Sequence, residues 1–293
     1  MKRDQKRMGQ RVRRSDDQEP HEVSDLSYDL ISPALRQQRE IIGEPLLLFD
    51  LVDSTNSVAH RLADEGYPDG TVVIANRQTA GRGRHGRIWL SPPNRNIYMS
   101  VLLKPPLDSR KATLLTLMAA VACCRTVRDL ADIDASIKWP NDIVVGARKC
   151  GGILTETRPA AGSVQCAILG IGINVNVGED EFDEFRSCNA TSFKMETSRA
   201  WDRSAVAVKA VGELDRWYRT LLDGGAACIR SEWRSLSSTI GKLVSVSGGA
   251  ETIVGVAADI DELGHLVLAM PDGSTRCASA GDISQLRAVG ETS

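Results

Sequence analysis

The stretch Gly81-Arg82-Gly83-Arg84-His85-Gly86 decides whether the chain has a dinucleotide-binding fold or a different architecture. Its letters fit G-x-G-x-x-G, the fingerprint of a dinucleotide-binding fold, and an apolar run typical of a strand, residues 71–75, precedes it. The fingerprint also needs a helix that opens at the third glycine. Here Arg87-Ile88-Trp89-Leu90-Ser91-Pro92-Pro93 follows, and its prolines and β-favouring side chains disfavour a helix. The sequence therefore predicts neither that fold nor a Walker A loop, which would end in Gly-Lys-Ser/Thr.

The same stretch predicts an anion-binding loop. Its glycines let backbone amides approach a ligand closely. Its neighbourhood carries three arginines, Arg82, Arg84 and Arg87, whose guanidinium groups match carboxylate and phosphate oxygens. A solvated basic loop without a ligand is the alternative on composition alone.

A second polar segment, Lys138-Trp139-Pro140-Asn141-Asp142, follows a short predicted strand. Ten residues on, Lys149-Cys150-Gly151-Gly152-Ile153-Leu154 places another lysine before a glycine pair. A hairpin between the two segments would bring Lys138 and Lys149 to neighbouring positions. A hairpin that merely carries surface lysines is the competing interpretation.

A third segment, Gly170-Ile171-Gly172-Ile173-Asn174, places two glycines inside an apolar strand. Glycines there indicate close approach by a ligand or by another backbone. Asn174 offers both a donor and an acceptor, which suits an adenine edge. A bulge with a satisfied asparagine explains this segment equally well.

The remaining pattern predicts an α+β fold. The 293 residues suggest two domains at ~150 residues each. Strands are predicted at 46–49, 71–75, 97–103, 137–139, 143–145, 152–156 and 164–177, and helices near 55–65 and at 114–130, 204–222 and 226–236. Short strands at 243–247, 252–260, 266–270 and 275–278 predict a small all-β module of about fifty residues.

Composition narrows the class of protein. Apolar residues make up 42% of the chain and charged residues 25%, as in ordinary globular proteins. No apolar run reaches the ~18 residues of a membrane span. The seven cysteines lie mostly in apolar stretches and form no Cys-x-x-Cys pair, which predicts reduced thiols and a cytoplasmic protein. Residues 1–40 are polar and are predicted to form a disordered tail.

Charge is unevenly distributed along the chain. The first fourteen residues hold seven Lys and Arg against one acid, Asp4, although the whole chain has a formal net charge of −2. This basic start could contact nucleic acid non-specifically. A solvated leader without a partner is the simpler interpretation.

Taken together, these segments resemble the biotin–protein ligase family, the biotin–[acetyl-CoA-carboxylase] ligases. The matching pieces occur in the family's order: Asp53-Ser54-Thr55-Asn56, residues 78–86, Trp89, residues 138–142, residues 149–154 and residues 172–174. The resemblance implies a mixed-sheet catalytic domain of the class II synthetase and biotin–lipoate ligase type at residues 41–237. It implies a small SH3-like β-barrel at residues 238–293.

The resemblance also implies an activity. Such ligases form biotinyl-5'-AMP and pyrophosphate from biotin and ATP with Mg2+, then pass biotin to one lysine of a biotin carboxyl carrier domain of acetyl- or acyl-CoA carboxylase. No enzyme nucleophile is required, because the mixed anhydride is itself the activated acyl donor. The basic loop is expected to become ordered when the ligand binds.

The resemblance assigns site residues in three groups. The catalytic group is Arg84, Lys138, Lys149 and Asp142. The biotin-binding group is Ser54, Thr55, Gln78, Gly81, Arg82, Trp89, Lys149 and Gly152. The group that binds ATP and the adenylate is Arg82, Arg84, Arg87, Lys149 and Asn174. No metal ligand is assigned, and Mg2+ is expected through the ATP phosphates.

Several alternatives stay open at this point. A regulator that also ligates biotin would need a winged helix-turn-helix of roughly 60 residues, and only about 40 polar residues precede the core, so no specific DNA binding is expected. A catalytically dead relative is disfavoured by the joint presence of Arg84, Lys138 and Lys149. The extra Gln285 before Leu286 leaves a role for Arg287 at ATP in doubt. The sequence leaves open whether the protein forms a homodimer.

Overall fold

The computed structural model describes residues 25–181, 189–247, 252–279 and 281–285. Seven strands form a large sheet: β1 (Leu46–Val52), β2 (Thr71–Gln78), β3 (Ile97–Leu103), β4 (Ala135–Lys138), β5 (Asp142–Val145), β6 (Arg148–Ala160) and β7 (Ser163–Ile173). Their order is β1-β2-β3-β7-β6-β5-β4. Only β1 and β2 pair in parallel, and the other neighbours are antiparallel. This mixed sheet confirms the predicted α+β class.

Helices cover both faces of the sheet. They are α1 (Tyr28–Gln38), α2 (Thr55–Asp64), α3 (Thr113–Ala131), α4 (Phe193–Thr197), α5 (Arg203–Leu222) and α6 (Ala226–Leu236). The nearly all-apolar α3 is buried in the main core, packed against α5 and α6. On the opposite face, Val58 and Leu62 of α2 pack on Val73 and Leu102 in a smaller apolar cluster. β3 lies between the two clusters, so all of its residues are buried.

The N-terminal segment corrects one prediction. Residues 25–40 were expected to belong to a disordered tail, yet they include α1, which packs on α5. Ile31 and Leu35, one helical turn apart, are fully buried in the main core. The segment is polar on average, but its spaced apolar side chains pack against α5. Local composition does not predict that packing, because it depends on a distant part of the chain. The predicted tail at residues 1–24 lies outside the described residues.

Two carboxylates fasten this segment to α5. Asp25 accepts hydrogen bonds from the backbone and guanidinium of Arg203, and the Arg203 side chain is completely buried. The Asp215 carboxylate accepts bonds from three consecutive backbone N–H groups, those of residues 40–42, at 2.7 to 3.0 Å. The segment is therefore part of the folded unit.

A second, all-antiparallel sheet follows α6. Its strands are β8 (Leu243–Ser247), β9 (Ile253–Ile260), β10 (Leu266–Ala269), β11 (Thr275–Ala278) and β12 (Asp282–Gln285), in the order β11-β10-β9-β8-β12. Four of these strands were predicted, and β12 was not. Buried side chains of this sheet join the main core cluster, and Arg234 of α6 pairs with Asp259. The division into domains at residue 237 stays a prediction.

Two further sequence expectations concern the membrane and the thiols. Within the described ranges, no helix is both long and apolar enough to span a membrane. The six described cysteines are free thiols, and four of them are buried. The seventh, Cys188, falls outside those ranges.

Candidate active site

A cavity of about 480 Å³ opens on the α2 face of the large sheet. It is lined by most of the predicted site residues: Ser54, Thr55, Gln78, Arg82, Arg84, Arg87, Trp89, Asp142, Lys149, Gly152 and Asn174. These come from five separate parts of the chain, so the fold brings the predicted segments together. Lys138 and Gly81 are the two predicted residues that do not line it.

Glycines on two central strands form the cavity floor. Gly152 of β6 lies opposite Gly172 of β7 in the strand register. The Trp89 ring rests on this floor, since a Cβ added at Gly172 would lie 2.4 Å from ring carbons of Trp89. One at Gly170 would lie 2.3 Å from Oδ1 of Asn56. The floor is thus glycine because two side chains, Trp89 and Asn56, approach the backbone closely, where the sequence predicted a ligand or another backbone.

A polar, uncharged corner lies at the N-terminus of α2. The backbone N–H of Thr55 donates to Oε1 of Gln78 at 2.8 Å, and Nε2 of Gln78 donates to Oγ of Ser91 at 2.8 Å. Ser54 occupies the N-cap position of α2, but its side chain caps no backbone group. Its hydroxyl therefore stays available to a ligand. The corner offers hydroxyl and amide groups and no formal charge.

Residues 81–89, the arginine loop, fold back on themselves beside the cavity. Gly83 N–H donates to the Arg87 carbonyl at 2.7 Å, and Trp89 N–H donates to the Gly81 carbonyl at 2.9 Å. At the tip, Arg84 donates to Oδ1 of Asn141 at 3.2 Å. The loop thus reaches the β4–β5 turn. Ordering of this loop on ligand binding stays a prediction.

Gly81 has a structural part beside the biotin-binding role predicted for it, which stays a prediction. A Cβ at this position would lie 2.3 Å from the Trp89 carbonyl oxygen and 2.7 Å from Oγ of Ser91. Gly81 therefore lets the two arms of the arginine loop approach, and it contributes nothing to the cavity lining.

Lys149 is the cation at the centre of the site. Its Nζ lies 2.6 Å from Oδ1 of Asp142 and 5.4 Å from the centre of the Trp89 ring. The second distance is within the range of a cation–π contact. About a third of the Lys149 side chain remains exposed, at 32%. A ligand can therefore reach the ammonium group.

Lys138 was expected beside Lys149, and that expectation was wrong. The chain makes two turns here, so β4, β5 and β6 form a three-stranded meander rather than one hairpin. Lys138 on β4 pairs with Asp142 on β5, and β5 separates β4 from the strand of Lys149. Because Trp139 and Pro140 already turn the chain, Lys138 ends on the sheet edge and outside the cavity wall.

Asn174 reaches the cavity with only part of its side chain free. Its Nδ2 donates to the carbonyl of Thr191 at 3.0 Å and to that of Lys149 at 3.4 Å. The donor is thus used by the protein, which fixes the amide and leaves Oδ1 to face a ligand. The sequence predicted both a donor and an acceptor, and the structure leaves the acceptor.

Cys150, which follows Lys149, does not serve as a nucleophile in this geometry. Its thiol is fully buried, and loss of solvation raises the pKa of that thiol far above its ordinary value. A protonated, inaccessible thiol neither attacks a substrate nor binds a metal. The arrangement agrees with a reaction that needs no covalent enzyme intermediate.

Sequence reasoning gave no role to three residues that shape the site. Asn56 and Asn141 are nearly fully buried and line the cavity, and Glu156 accepts a hydrogen bond from Asn56 at 2.7 Å. The two asparagines stood inside quoted motifs. Glu156 had one available signal, a charge within a predicted strand. Arg287, considered for ATP, lies outside the described residues.

Comparisons with known proteins decide the family. Residues 48–174 match the biotin/lipoate A/B protein ligase family, and residues 239–285 match the biotin protein ligase C-terminal domain. A biotin–[acetyl-CoA-carboxylase] ligase of Mycobacterium tuberculosis is 33% identical over 87% of this chain and 95% of that protein. The chain belongs to the biotin protein ligase family. The cavity described above is therefore a cavity of a ligase of this family.

Two further similarities support the assignment. The bifunctional ligase/repressor BirA of Bacillus subtilis is 36% identical to this ligase over 82% of the chain, which covers 74% of that protein. A biotin protein ligase from Aquifex aeolicus, solved in complex with biotin and ATP, superposes with a TM-score of 0.70. Its sequence identity is 28%, and the match covers 84% of this chain and 100% of that one. The small second sheet of the ligase corresponds to the predicted SH3-like domain.

Proposed function

We propose that this ligase joins biotin and ATP into biotinyl-5'-adenylate and pyrophosphate, and then transfers the biotinyl group to a lysine of a biotin carboxyl carrier domain. One observation carries the proposal. One cavity is lined both by an uncharged hydrogen-bonding corner, here called its neutral end, and by Lys149 with the arginines of the loop, here called its cationic end. Such a cavity suits a ligand with a neutral polar ring, an apolar chain and an anionic group.

The neutral end of the cavity suits the ureido ring of biotin. Ser54, Thr55 and Gln78 offer hydroxyl and amide groups there, and all three line the cavity. The apolar chain would lie against Trp89 above the glycine floor. The indole N–H of Trp89 is buried and lacks a hydrogen-bond partner among the described residues. That nitrogen faces the glycine floor, so the opposite face of the ring is the one a ligand would contact.

The cationic end suits the first chemical step. A carboxylate oxygen of biotin attacks the α-phosphorus of ATP, an O–P bond forms, and the bond to pyrophosphate breaks. Two anions must approach, so fixed positive charge lowers their repulsion and stabilises the charge that develops. Lys149 and Arg84 would supply this charge, and Arg82 and Arg87 would bind the phosphates and the adenylate. Oδ1 of Asn174 would accept from the adenine amino group.

Mg2+ would enter with ATP as part of the substrate. Asp142 is the one acidic side chain that lines the cavity within the described ranges, and it is paired with Lys149. No cluster of three metal-binding side chains occurs in the described part of the chain. We propose that the cation is held mainly through the phosphate oxygens of ATP. It would neutralise part of the polyphosphate charge.

Transfer to the carrier lysine completes the reaction. The acceptor amine attacks the carbonyl carbon of the mixed anhydride, an amide bond forms, and AMP leaves. Asp142, which lines the cavity, would take the proton that the amine releases. Acetyl- or acyl-CoA carboxylase is the proposed source of the carrier domain.

Three further proposals concern the setting of the ligase. We place it in the cytoplasm, because its buried thiols suit a reducing compartment. We expect no specific DNA binding, which a gel shift with the full chain would test. A homodimer could form through β1, the edge strand of the large sheet, where Leu51 is 54% exposed. Sedimentation would measure that association.

The ligase proposal is tested by incubation with biotin, MgATP and a biotin carboxyl carrier domain. Pyrophosphate release and a mass gain on one carrier lysine are expected, both dependent on biotin. A carrier domain with that lysine changed to arginine provides the matched control. Pyrophosphate release that does not depend on biotin would contradict the proposal.

A further inference from the structure

A chain of buried hydrogen bonds leads away from the uncharged corner of the cavity. Oγ of Ser100 lies 2.8 Å from Oγ1 of Thr55 and 2.6 Å from Oδ1 of Asn56. Nδ2 of Asn56 then donates to Oε2 of Glu156 at 2.7 Å. Ser100 is fully buried, and Thr55 and Asn56 are almost so. The two bonds of Ser100 are buried and are therefore worth more than exposed ones.

Glu156 is the last residue in this series of hydrogen bonds, and it also contacts the arginine loop. Besides Asn56, two cationic or polar groups converge on the same oxygen: Nε2 of His60 at 3.1 Å and the Arg82 guanidinium at 3.8 Å. Arg158 donates to the other ring nitrogen of His60, Nδ1, at 3.1 Å. His60 therefore donates from Nε2 to Glu156. The carboxylate is an acceptor for every group around it.

The backbone leaves room for this arrangement at one point. Gly170 lies directly under Asn56, where any Cβ would meet the amide at 2.3 Å. The Asn56 side chain can reach Glu156 because that position on β7 is glycine. The strand register, with Leu154 opposite Gly170, places Glu156 two residues farther along β6 on the same face.

We propose that Glu156 is a positioning residue of the ligase: it holds Arg82 at the cavity edge and links the arginine loop to the corner that receives the biotin ring. The inference rests on the proposed function. A ligand that orders Thr55 would, through Ser100 and Asn56, also fix Glu156 and with it Arg82. Binding of biotin and closure of the arginine loop over the adenylate would then be coupled.

Two measurements test the role of Glu156. Glu156→Gln keeps the shape of the side chain and removes its charge. In biotin-dependent ATP–pyrophosphate exchange we expect KM for biotin to rise about fivefold and kcat to stay within about twofold, as for the loss of one partly exposed ion pair. Release of preformed biotinyl-adenylate should accelerate by a similar factor. Unchanged KM and unchanged release would overturn the proposal.

Asp64→Asn is the matched control. Asp64 pairs with Arg158, the arginine that contacts His60, but it does not contact Arg82. We expect this variant to match the wild type in exchange and in adenylate release. Equal effects from Asp64→Asn and Glu156→Gln would overturn the proposal, because they would reflect a general loss of packing around α2.

A double-mutant cycle with Arg82→Met separates positioning from structure. If Glu156 acts through Arg82, the double variant should release the adenylate no faster than Arg82→Met alone. Effects that multiply would overturn the proposal. Should Glu156→Gln fail to fold, Glu156→Asp, which keeps the charge but shortens its reach, should still raise KM about threefold. A wild-type chain without biotin-dependent exchange would instead refute the proposed function.

Discussion

Lys149 and Asp142 face each other across β5 and β6, with Nζ 2.6 Å from Oδ1. The pair lies in the wall of the cavity, and Trp89 packs against the same ammonium group. A substrate carboxylate that binds Lys149 must therefore compete with Asp142. Once that exchange occurs, the Asp142 carboxylate is free to accept a proton. In the proposed reaction, this one ion pair would connect the activation step with the transfer step.

We predict that substitutions of Lys149 and of Asp142 impair different half-reactions. Lys149→Ala should lower the rate of biotin-dependent ATP–pyrophosphate exchange by about 100-fold or more, because the charge that stabilises the transition state is removed. Asp142→Asn should leave exchange nearly unchanged and slow transfer from isolated biotinyl-adenylate to the carrier about tenfold to 100-fold. Equal losses in both half-reactions for both variants would contradict these separate roles.

The glycine floor predicts a site defect without a folding defect. Gly172→Ala would place a Cβ 2.4 Å from the Trp89 ring, so the indole must move off the floor. We expect KM for biotin to rise about tenfold or more, since small displacements in a site cost large factors. Isothermal titration with biotin measures the same effect.

Gly212→Ala in α5 is the control for that substitution. Its Cβ would meet its nearest neighbour at 3.5 Å, an ordinary contact, and it lies in a helix far from the floor. It should stabilise the chain by about 0.5–1 kcal/mol and leave biotin binding unchanged. Weakened biotin binding in Gly212→Ala would show that the floor is not the cause.

Much of this site could be predicted from sequence because its chemistry is local. Three motifs could be recognised in the sequence: the arginine loop, the segment around Asp142 and the strand glycines. The fold brings them to one cavity. What failed depended on topology. All three strands of this region were predicted, but their sequences did not show that β5 would lie between the strand of Lys138 and the strand of Lys149.

The N-terminal segment predicts a stability effect far from the cavity. Asp25→Asn would put an amide against the buried guanidinium of Arg203, which then loses its carboxylate partner. We expect the free energy of unfolding to fall by about 1–3 kcal/mol, as for a charged hydrogen bond. Each kcal/mol should lower Tm by roughly 2–4 °C in a chain of this size.

Asp29→Asn provides the comparison for that variant. Asp29 lies in the first turn of α1 and is exposed. Its loss should cost no more than about 1 kcal/mol through the helix dipole. If the melting curves of Asp25→Asn and Asp29→Asn coincide, the ion pair between Asp25 and Arg203 does not stabilise the segment.

Burial of a core thiol predicts a loss of stability in alkali. Burial raises the pKa of the Cys124 thiol from 9.0 to about 12, and its Sγ donates to the Ala135 carbonyl. Between pH 9 and pH 12 the Cys124 thiol is ionised in the unfolded chain and still protonated in the folded one. The contribution of this thiol to stability is therefore full below pH 9 and is lost as pH rises toward 12. One such group costs about 1.4 kcal/mol per pH unit in that window.

Urea unfolding at pH 8.5 and pH 10.5 measures this effect. The drop in the free energy of unfolding between the two conditions should be smaller in Cys124→Ala than in the wild type by about 2 kcal/mol. An equal drop in both proteins would show that Cys124 does not remain protonated in the folded state.

The fold outside the site shows the same division between local and tertiary information. The bounds of β3 and α6 agree with the periodicity, because each is a continuous apolar or amphipathic run. α1 was missed because its two buried apolar side chains, Ile31 and Leu35, gain their stability only against α5. Glu156 was missed because a charge on a strand has meaning only once Asn56 and Arg82 are known to surround it.

The central claim is that a biotin carboxylate oxygen forms the bond to the α-phosphorus in this cavity. Biotin labelled with 18O in its carboxylate, incubated with MgATP, the ligase and a carrier domain, tests it directly. The account predicts that AMP released on transfer to the carrier carries one 18O atom, because the bridging oxygen of the mixed anhydride leaves with the phosphate. AMP without the label, alongside a biotinylated carrier, would contradict the account.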